Sequence, residues 1–396
     1  MAGSRRKPRV ALVTWDLGHP DDTTASVFSQ IVLRGHRRFD FTVVSRSLHP
    51  EIRPLSEWRR APAPQRPFRL RWAVFFATAA ARLRGAGADL VHTWGPAPMI
   101  PSRIDLASVN MLQAGFHAAA GGRPPGAGPG WRAGRAFKLG LERWSYGRRV
   151  GLLDVDAESA RAALIRHVPG ANVIVTPRAV DTERFRPDPE SGRRLRGELG
   201  AAADELVVLF VGRDWDLKGL DRAIEGVALA LRRGAGGLRL WVAGGSDERK
   251  LRAMADAAGI GDRVEFLGLR SDVERLYRGA DLFLMPTVYE HFSRASHEAA
   301  ATEVPVIATE VGGITDLIAA GAGVAVERDG ESIAAALTRL AADPRLRARL
   351  GARGREWSLQ FTQEASTDRY LDLYDELAAA RGVAPAVAEA RSTSSR

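Results

Sequence analysis

Short apolar runs separated by helix-length segments occur twice over in this chain, and few folds accommodate that pattern. In the first half, Val10-Ala-Leu-Val-Thr14, Phe41-Thr-Val-Val-Ser45 and Asp89-Leu-Val-His92 are strand-length runs, with a helix-like segment over residues 72–84 between the last two. After Val173-Ile-Val-Thr176 comes a proline-rich stretch, from Pro177-Arg-Ala-Val-Asp181 to Pro189. The pattern then restarts. Strand-like runs over 206–211, 238–243, 264–267, 282–285 and 306–308 alternate with helix-like segments over 221–232, 248–258, 271–277 and 331–341. Alternation of this kind predicts a parallel sheet covered by helices on both faces. The expected fold class is therefore α/β, with two facing doubly wound domains. The boundaries expected are a first domain over residues 1–172 and a second over 173–362. A helix over 363–381 crosses back onto the first domain, and the small, polar tail over 382–396 reads as disordered. The Gly- and Pro-rich stretch 121–134 reads as a mobile loop. In such sheets ligands bind at the carboxyl ends of the strands, here in the cleft between the two units.

Charge is unevenly placed. The chain carries a formal net charge of +10, yet residues 1–150 hold 24 Lys and Arg against 9 Asp and Glu, while the remainder is net acidic. A basic first half attracts an anionic substrate or membrane surface. No basic stripe interleaved with aromatics appears, so nucleic acid is not an expected partner. There is no cysteine, which excludes disulfides, thiolate metal sites and cysteine nucleophiles and fits a reducing cytoplasm. Residues 1–30 contain no long apolar core and do not read as a signal peptide. Cytoplasmic residence is the expectation, or a peripheral place at the inner face of a membrane. The Arg-rich segment 59–84 has two readings. It is either an Arg-flanked helix packed on the first sheet, or a membrane-surface contact made with Trp72, Phe75 and Phe76.

Two motifs carry the candidate chemistry. Gly212-Arg-Asp-Trp-Asp-Leu-Lys218-Gly219 follows a strand and precedes a helix. Glycine there permits close backbone approach, and Arg213 and Lys218 can reach one diphosphate from two sides. It is not a phosphate loop of the Walker type, because the spacing and the hydroxyl residue after the lysine are missing. Glu290-His-Phe-Ser-Arg-Ala-Ser-His-Glu298 straddles the start of a helix. Eight residues along a helix rise about 12 Å, whereas hydrolytic carboxylate pairs stand roughly 5–9.5 Å apart. The two glutamates therefore read as two grips on one extended ligand. The residues Phe292, Ser293, Arg294 and Ala295 between them can offer helix N–H groups to an anion.

These residues resemble glycosyltransferase family 4, the retaining enzymes of GT-B architecture with two facing Rossmann-like domains. The family pattern is matched by Val211-Gly-Arg213 to Lys218-Gly219, Phe266-Leu-Gly268, Ala280-Asp-Leu-Phe-Leu-Met-Pro286, Glu290 to Glu298 and Gly312-Gly313, across roughly residues 170–375. The resemblance implies Arg213, Lys218 and Gly212 at the donor diphosphate, Glu298 on the ribose hydroxyls and Glu290 on the transferred sugar. It also implies a base bordered by the loop containing Leu269. In the first half only Gly18 survives from the family's Gly-Gly loop. His117 is the candidate for a cleft histidine, with Asn110 as the alternative and His92 read as structural. The family's Pro-Asn-Gly-Val-Asp is Pro177-Arg-Ala-Val-Asp181 here, and His291 and Ser293 stand where small residues are usual, departures that bear on the donor sugar.

The function so implied is retaining transfer of a hexosyl group from a nucleotide diphosphate sugar to an acceptor hydroxyl. Cell-envelope glycolipid, polysaccharide or glycoside synthesis is the expected setting. No cofactor and no metal are expected, since no Asp-x-Asp motif lies in a suitable loop. The partners expected are the nucleotide-sugar donor and an anionic or membrane-associated acceptor. Two rivals are a nucleotide-sugar epimerase of the same architecture and a non-catalytic nucleotide-sugar binder.

Overall fold

A computed structural model describes residues 6–18, 23–64, 68–94, 103–109, short pieces between 136 and 147, 150–245 and 247–383. Two separate sheets, every strand parallel to its neighbours, form its two halves. The first contains β1 (Arg9–Val13), β2 (Asp40–Ser45), β3 (Ser56–Arg60), β4 (Leu90–Trp94), β5 (Ile104–Ser108), β6 (Val150–Val155) and β7 (Val173–Val175). The second contains β8 (Leu206–Gly212), β9 (Leu238–Gly244), β10 (Val264–Gly268), β11 (Leu282–Met285), β12 (Val306–Ala308) and β13 (Gly323–Ala325). Their spatial orders are β3-β2-β1-β4-β5-β6-β7 and β10-β9-β8-β11-β12-β13. In both, the chain winds outward in one direction and then returns to wind the other way. The reversal falls between β1 and β4 in the first sheet and between β8 and β11 in the second. At such a reversal the loops leaving adjacent strands diverge to opposite faces, opening a crevice at the strand ends. The expected pair of doubly wound domains is thus the observed one. Because β7 pairs with β6, the first sheet continues through Val175, three residues beyond the expected boundary at 172.

The second sheet is sandwiched by helices around one apolar core that includes Val208, Phe210, Trp241, Phe283, Ile307 and Leu337. The first sheet has distinct cores on its two faces. On one, Phe75 and Phe76 of the helix Phe68–Arg84 pack with Ala11, Val13 and Val44. Both phenylalanines are buried, which takes them out of reach of any membrane face. Arg59 and Arg82 tie β3 to this helix through reciprocal hydrogen bonds to the carbonyls of Arg82 and Arg60, each 3.0 Å long. The packed-helix reading of the basic segment is the one these residues fit. Among the described residues no helix is long and apolar enough to cross a membrane.

The other face is covered by the helices Thr23–Gly35 and Gln363–Ala380, the latter being the expected crossover. Thr362 caps its start by accepting a hydrogen bond from the Ala365 N–H. Tyr370, Leu371, Leu373 and Tyr374 then bury against Phe28, Ile31 and Phe39. Arg34 pairs with Asp368 at 3.1 Å, and Arg38 with Asp372 and Asp375, along the outer seam. Beneath it runs a buried chain of polar groups. The Tyr374 hydroxyl lies 2.6 Å from His92 Nδ1, and His92 Nε2 lies 2.9 Å from Ser108 Oγ. Ser108 and Tyr370 both donate to one carboxylate oxygen of Asp154, at 2.8 and 2.7 Å. His92 is therefore structural, as expected, and it joins β4, β5 and β6 to the crossover helix.

Burial pushes Asp154 up to about 6, outweighing the hydrogen bonds that favour its ionised form, and pushes His92 down to about 3. The two act on stability with opposite signs. An unfolded aspartate titrates near 3.9, so Asp154 holds extra proton in the fold between about pH 4 and 6, and its contribution is lost as pH rises through that window. His92 stays neutral in the fold, so its contribution is lost as pH falls from about 6.5 towards 3. Replacing Asp154 by Asn isolates the first effect. The stability of Asp154→Asn relative to wild type is expected to improve by roughly 1–3 kcal/mol between pH 4 and 6 and to level off above pH 7. Calorimetric unfolding of both proteins across pH 4–7.5 measures it. A pH-independent difference would contradict the assignment.

Candidate active site at the second strand reversal

The loops after β8 and β11 flank the reversal of the second sheet, and they are pressed together. Gly219 follows the short helix Trp215–Lys218 in the left-handed region, at φ 79°. A Cβ on it would lie 2.2 Å from the Pro286 carbonyl oxygen. Only glycine allows this approach. The Val288 N–H donates to the Leu217 carbonyl at 2.9 Å, and the Thr287 hydroxyl reaches the same carbonyl at 3.2 Å. The consequence is that Lys218, seventy-two residues distant in sequence, forms an ion pair with Glu290. Both side chains are mostly buried, so the pair is screened less by salt than a solvated one. Arg213, on the same loop, is exposed and makes no hydrogen bond or ion pair among the described residues. It is free to meet a ligand. Gly212 lies beneath Lys218, where a Cβ on the glycine would stand 3.1 Å from Lys218 Cγ.

The second motif is held by the Gly-Gly turn. Gly312 has φ 56°, and a Cβ there would sit 2.2 Å from the Glu290 carbonyl oxygen and 2.4 Å from that of His291. The Gly313 N–H donates to His291 O at 2.7 Å. Ser293 precedes the helix Arg294–Ala301 in the left-handed region, at φ 64°, rare for a residue with a side chain. Its hydroxyl bonds Ser296 Oγ at 2.8 Å and does not cap the helix, while its carbonyl meets His297 Nδ1 at 3.0 Å. The His297 ring stacks on Phe292, with centroids 3.9 Å apart, and burial pushes its pKa down to about 4. The side chains of Phe292 and Ser293 are thus spent inside the protein, and what they can offer a ligand is backbone N–H. A helix start without an acidic or capping side chain is suited to an anion.

Glu298 lies about one turn along this helix. Its Oε2 accepts the Tyr277 hydroxyl at 3.1 Å and its Oε1 stands 3.6 Å from Arg294 Nε. Burial raises its pKa, and Arg294 and Tyr277 offset part of that rise. Arg294 itself is exposed. Leu269 is 70 % exposed and is the nearest neighbour a side chain at Gly245 would meet, leaving an apolar platform beside the ends of β9 and β10. Gly18 stands at the matching reversal of the first sheet, after β1, where its N–H donates to Asp16 Oδ1 at 2.9 Å. His117 and its alternative Asn110 lie outside the described residues.

Three residues of this region escape a reading of the sequence. Tyr277 carries no signal, being one tyrosine in an amphipathic helix. Asp156 meets His291 where the two halves touch, and Arg178 pairs with Asp156. Arg178 marks itself by standing at the asparagine of the family's Gly-containing turn, but its partner Asp156 is not legible from spacing.

The Gly312 geometry yields a direct comparison. Gly312→Ala combines positive φ with a backbone collision, whereas Gly321→Ala has positive φ, 81°, and open space. Gly321→Ala should cost about 1 kcal/mol and Gly312→Ala roughly 2–4 kcal/mol. Thermal unfolding of the two variants measures the difference, and equal costs would show that the two loops yield freely.

Residues 192–357 match the family model described as glycosyl transferases group 1. The D-inositol 3-phosphate glycosyltransferase of Saccharomonospora viridis is 36% identical over 256 residues, covering 61% of this chain and 58% of that protein. The lipopolysaccharide core biosynthesis glycosyltransferase LpsE of Rhizobium meliloti is 35% identical over 182 residues, covering 45% of this chain and 52% of that one. The chain spans about half the length of the relatives it matches. In fold, sucrose-phosphate synthase from Thermosynechococcus elongatus superimposes with a TM-score of 0.76 at 23% identity over 94% of this chain and 100% of the other. WaaG, a glycosyltransferase involved in lipopolysaccharide biosynthesis, does so at 0.72 and 22% identity over 92% and 99%. The two-sheet architecture is the GT-B fold of these solved structures, and the match to glycosyl transferases group 1 lies within its second half, over residues 192–357.

Proposed function

We propose that this chain is a glycosyltransferase that moves a hexosyl group from a nucleoside diphosphate sugar to an acceptor hydroxyl, with retention at the anomeric carbon, as in glycosyltransferase family 4. The observation that carries this reading is the meeting of Lys218 with Glu290 at the second strand reversal, beside an uncapped helix start and with Glu298 further along the same helix. An ammonium, an exposed guanidinium and helix N–H groups on adjoining loops supply the set needed to stabilise a departing diphosphate. The names of the relatives support acceptors of two kinds, an inositol phosphate and a lipopolysaccharide core. The basic first half suits either, since both are anionic.

In the proposed reaction the bond from the anomeric carbon to the diphosphate oxygen breaks first. Arg213 and Lys218 take up the charge that builds on that oxygen. Lys218 is held by Glu290 until a phosphate competes for it, so binding exchanges one charge partner for another. Glu290, released, is left facing the sugar. The acceptor oxygen attacks the same face, and its proton passes to the departing phosphate. The residues required for this are charges and N–H groups, and no metal enters the scheme. Glu298 would take the ribose hydroxyls, its mostly buried carboxylate having acceptor capacity beyond the Tyr277 bond.

Two measurements test the reading. A thermal-shift screen against UDP-, GDP-, ADP- and dTDP-sugars should reveal one donor that stabilises the chain by about 2.7 kcal/mol at 100 times its dissociation constant. With that donor, Lys218→Ala and Arg213→Ala should each lower turnover by about 10²–10³. Unchanged turnover in both would remove the assignment, and consumption of donor without acceptor to an epimeric sugar would replace transfer by epimerisation.

A further inference from the structure

The two halves of the chain meet at one buried carboxylate. Asp156 follows β6 of the first sheet and is 4% exposed. Its Oδ2 accepts a hydrogen bond from Arg178 Nε at 3.2 Å, and Arg178 in turn lies over the Trp94 ring, 4.2 Å from its centroid. Its Oδ1 lies 2.5 Å from Nδ1 of His291, a close polar contact that is not aligned as a hydrogen bond. Burial alone would raise the Asp156 pKa, yet His291 and Arg178 hold it below the ordinary range, so the carboxylate is charged. Two residues further on, the Glu158 N–H donates to Asp316 of the helix Gly313–Ala319 at 3.0 Å, so the same junction has a second bond.

His291 is the residue after Glu290. Its carbonyl receives the Gly313 N–H, and its side chain reaches Asp156 of the first half. The motif loop is therefore gripped from both sides, by the Gly-Gly turn of its own half and by Asp156 of the other. Resting on the transfer reading above, we infer that Asp156 and His291 are positioning residues, through which the first half fixes Glu290 in the geometry used for the reaction. On that reading the diphosphate and ribose of the donor are held by Arg213, Lys218 and Glu298 of the second half, so loosening this brace leaves most of the donor affinity intact and degrades the alignment of the reacting groups. Misplacement of a reacting group by an ångström is enough to cost orders of magnitude in rate. The substitution of His at a place where small residues are usual then serves the junction between halves and not the choice of sugar.

A double-mutant cycle in the full chain tests this. His291→Ala and Asp156→Asn should each lower kcat about ten-fold or more, with the donor Kd from calorimetry changed less than about two-fold. The double variant should be no slower than the slower single one, and His291→Asn, whose amide keeps a polar group beside Asp156, should recover part of the loss. Independent multiplicative losses, or a loss of donor affinity equal to the loss in kcat, would overturn the inference. Hydrogen exchange at residues 289–293 supplies a readout that needs no substrate. It should quicken in Asp156→Asn, and unchanged exchange would overturn the brace even if the transfer reading stands. Should wild type turn over no donor, the transfer reading fails and exchange alone decides the brace.

Discussion

Everything at the candidate site depends on two backbones approaching more closely than side chains allow. Gly219 lies against Pro286 and Gly312 against Glu290 and His291, each at a distance no Cβ could tolerate. These approaches draw the loops after β8, β11 and β12 into one layer over the strand ends. Only in such a layer can Lys218 touch Glu290. The opposing charges then follow from packing and do not drive it, since an ion pair of this kind is worth little against the cost of burying it. The second half is in this sense a rigid frame for two charges. The first half is built differently, with fewer close approaches among its described residues and more long-range polar bonding.

That difference explains what could be read from the sequence. In the second half, strands such as Leu206–Gly212 and Leu282–Met285 are uninterrupted apolar runs, and their loops carry glycines with evident backbone purposes. Both the fold and the charged motif are legible there. In the first half, β5 reads Ile-Asp-Leu-Ala-Ser and β6 reads Val-Gly-Leu-Leu-Asp-Val. Asp105, Ser108 and Asp154 break the apolar pattern, so neither segment announces itself as a strand. They are buried all the same, because Arg381, His92 and Tyr370 reach them from elsewhere in the chain. A polar residue inside a strand signals a partner without naming it. β3, Ser-Glu-Trp-Arg-Arg, is hidden for the opposite reason. As an edge strand it has no need of an apolar pattern, and its charges discourage pairing with another chain.

The site divides along the same line. Arg213, Lys218, Glu290 and Glu298 can be named because residue type and spacing along a single loop or helix suffice to suggest a diphosphate with a sugar at one end. Asp156 cannot. Its meaning lies in a contact with a residue more than a hundred positions away, and no local pattern encodes the face that a strand-end carboxylate presents. Ser293 stands between the two cases. Its sequence place marks it as unusual, but only the backbone reveals that it occupies a left-handed position normally left to glycine.

The passage between the halves has a mechanical consequence. The chain crosses twice, once after β7 and once before the helix Gln363–Ala380, and the crossings are bonded to each other. The Val180 N–H donates to the Phe361 carbonyl at 2.9 Å, and the Ser366 hydroxyl reaches the Pro177 carbonyl at 3.3 Å. Two bonded crossings define a spine, which permits turning about one axis and resists the others. Groups next to the spine, Arg178 among them, barely travel when the halves turn. β1 is four strands away from β7, about 19 Å at the usual strand spacing. A turn of about 10° would carry the Gly18 loop roughly 3 Å, about one hydrogen-bond length. The reach of the first half over a bound sugar is thus set by leverage, with the Asp156 contact near the pivot and the Gly18 loop at the end of the arm.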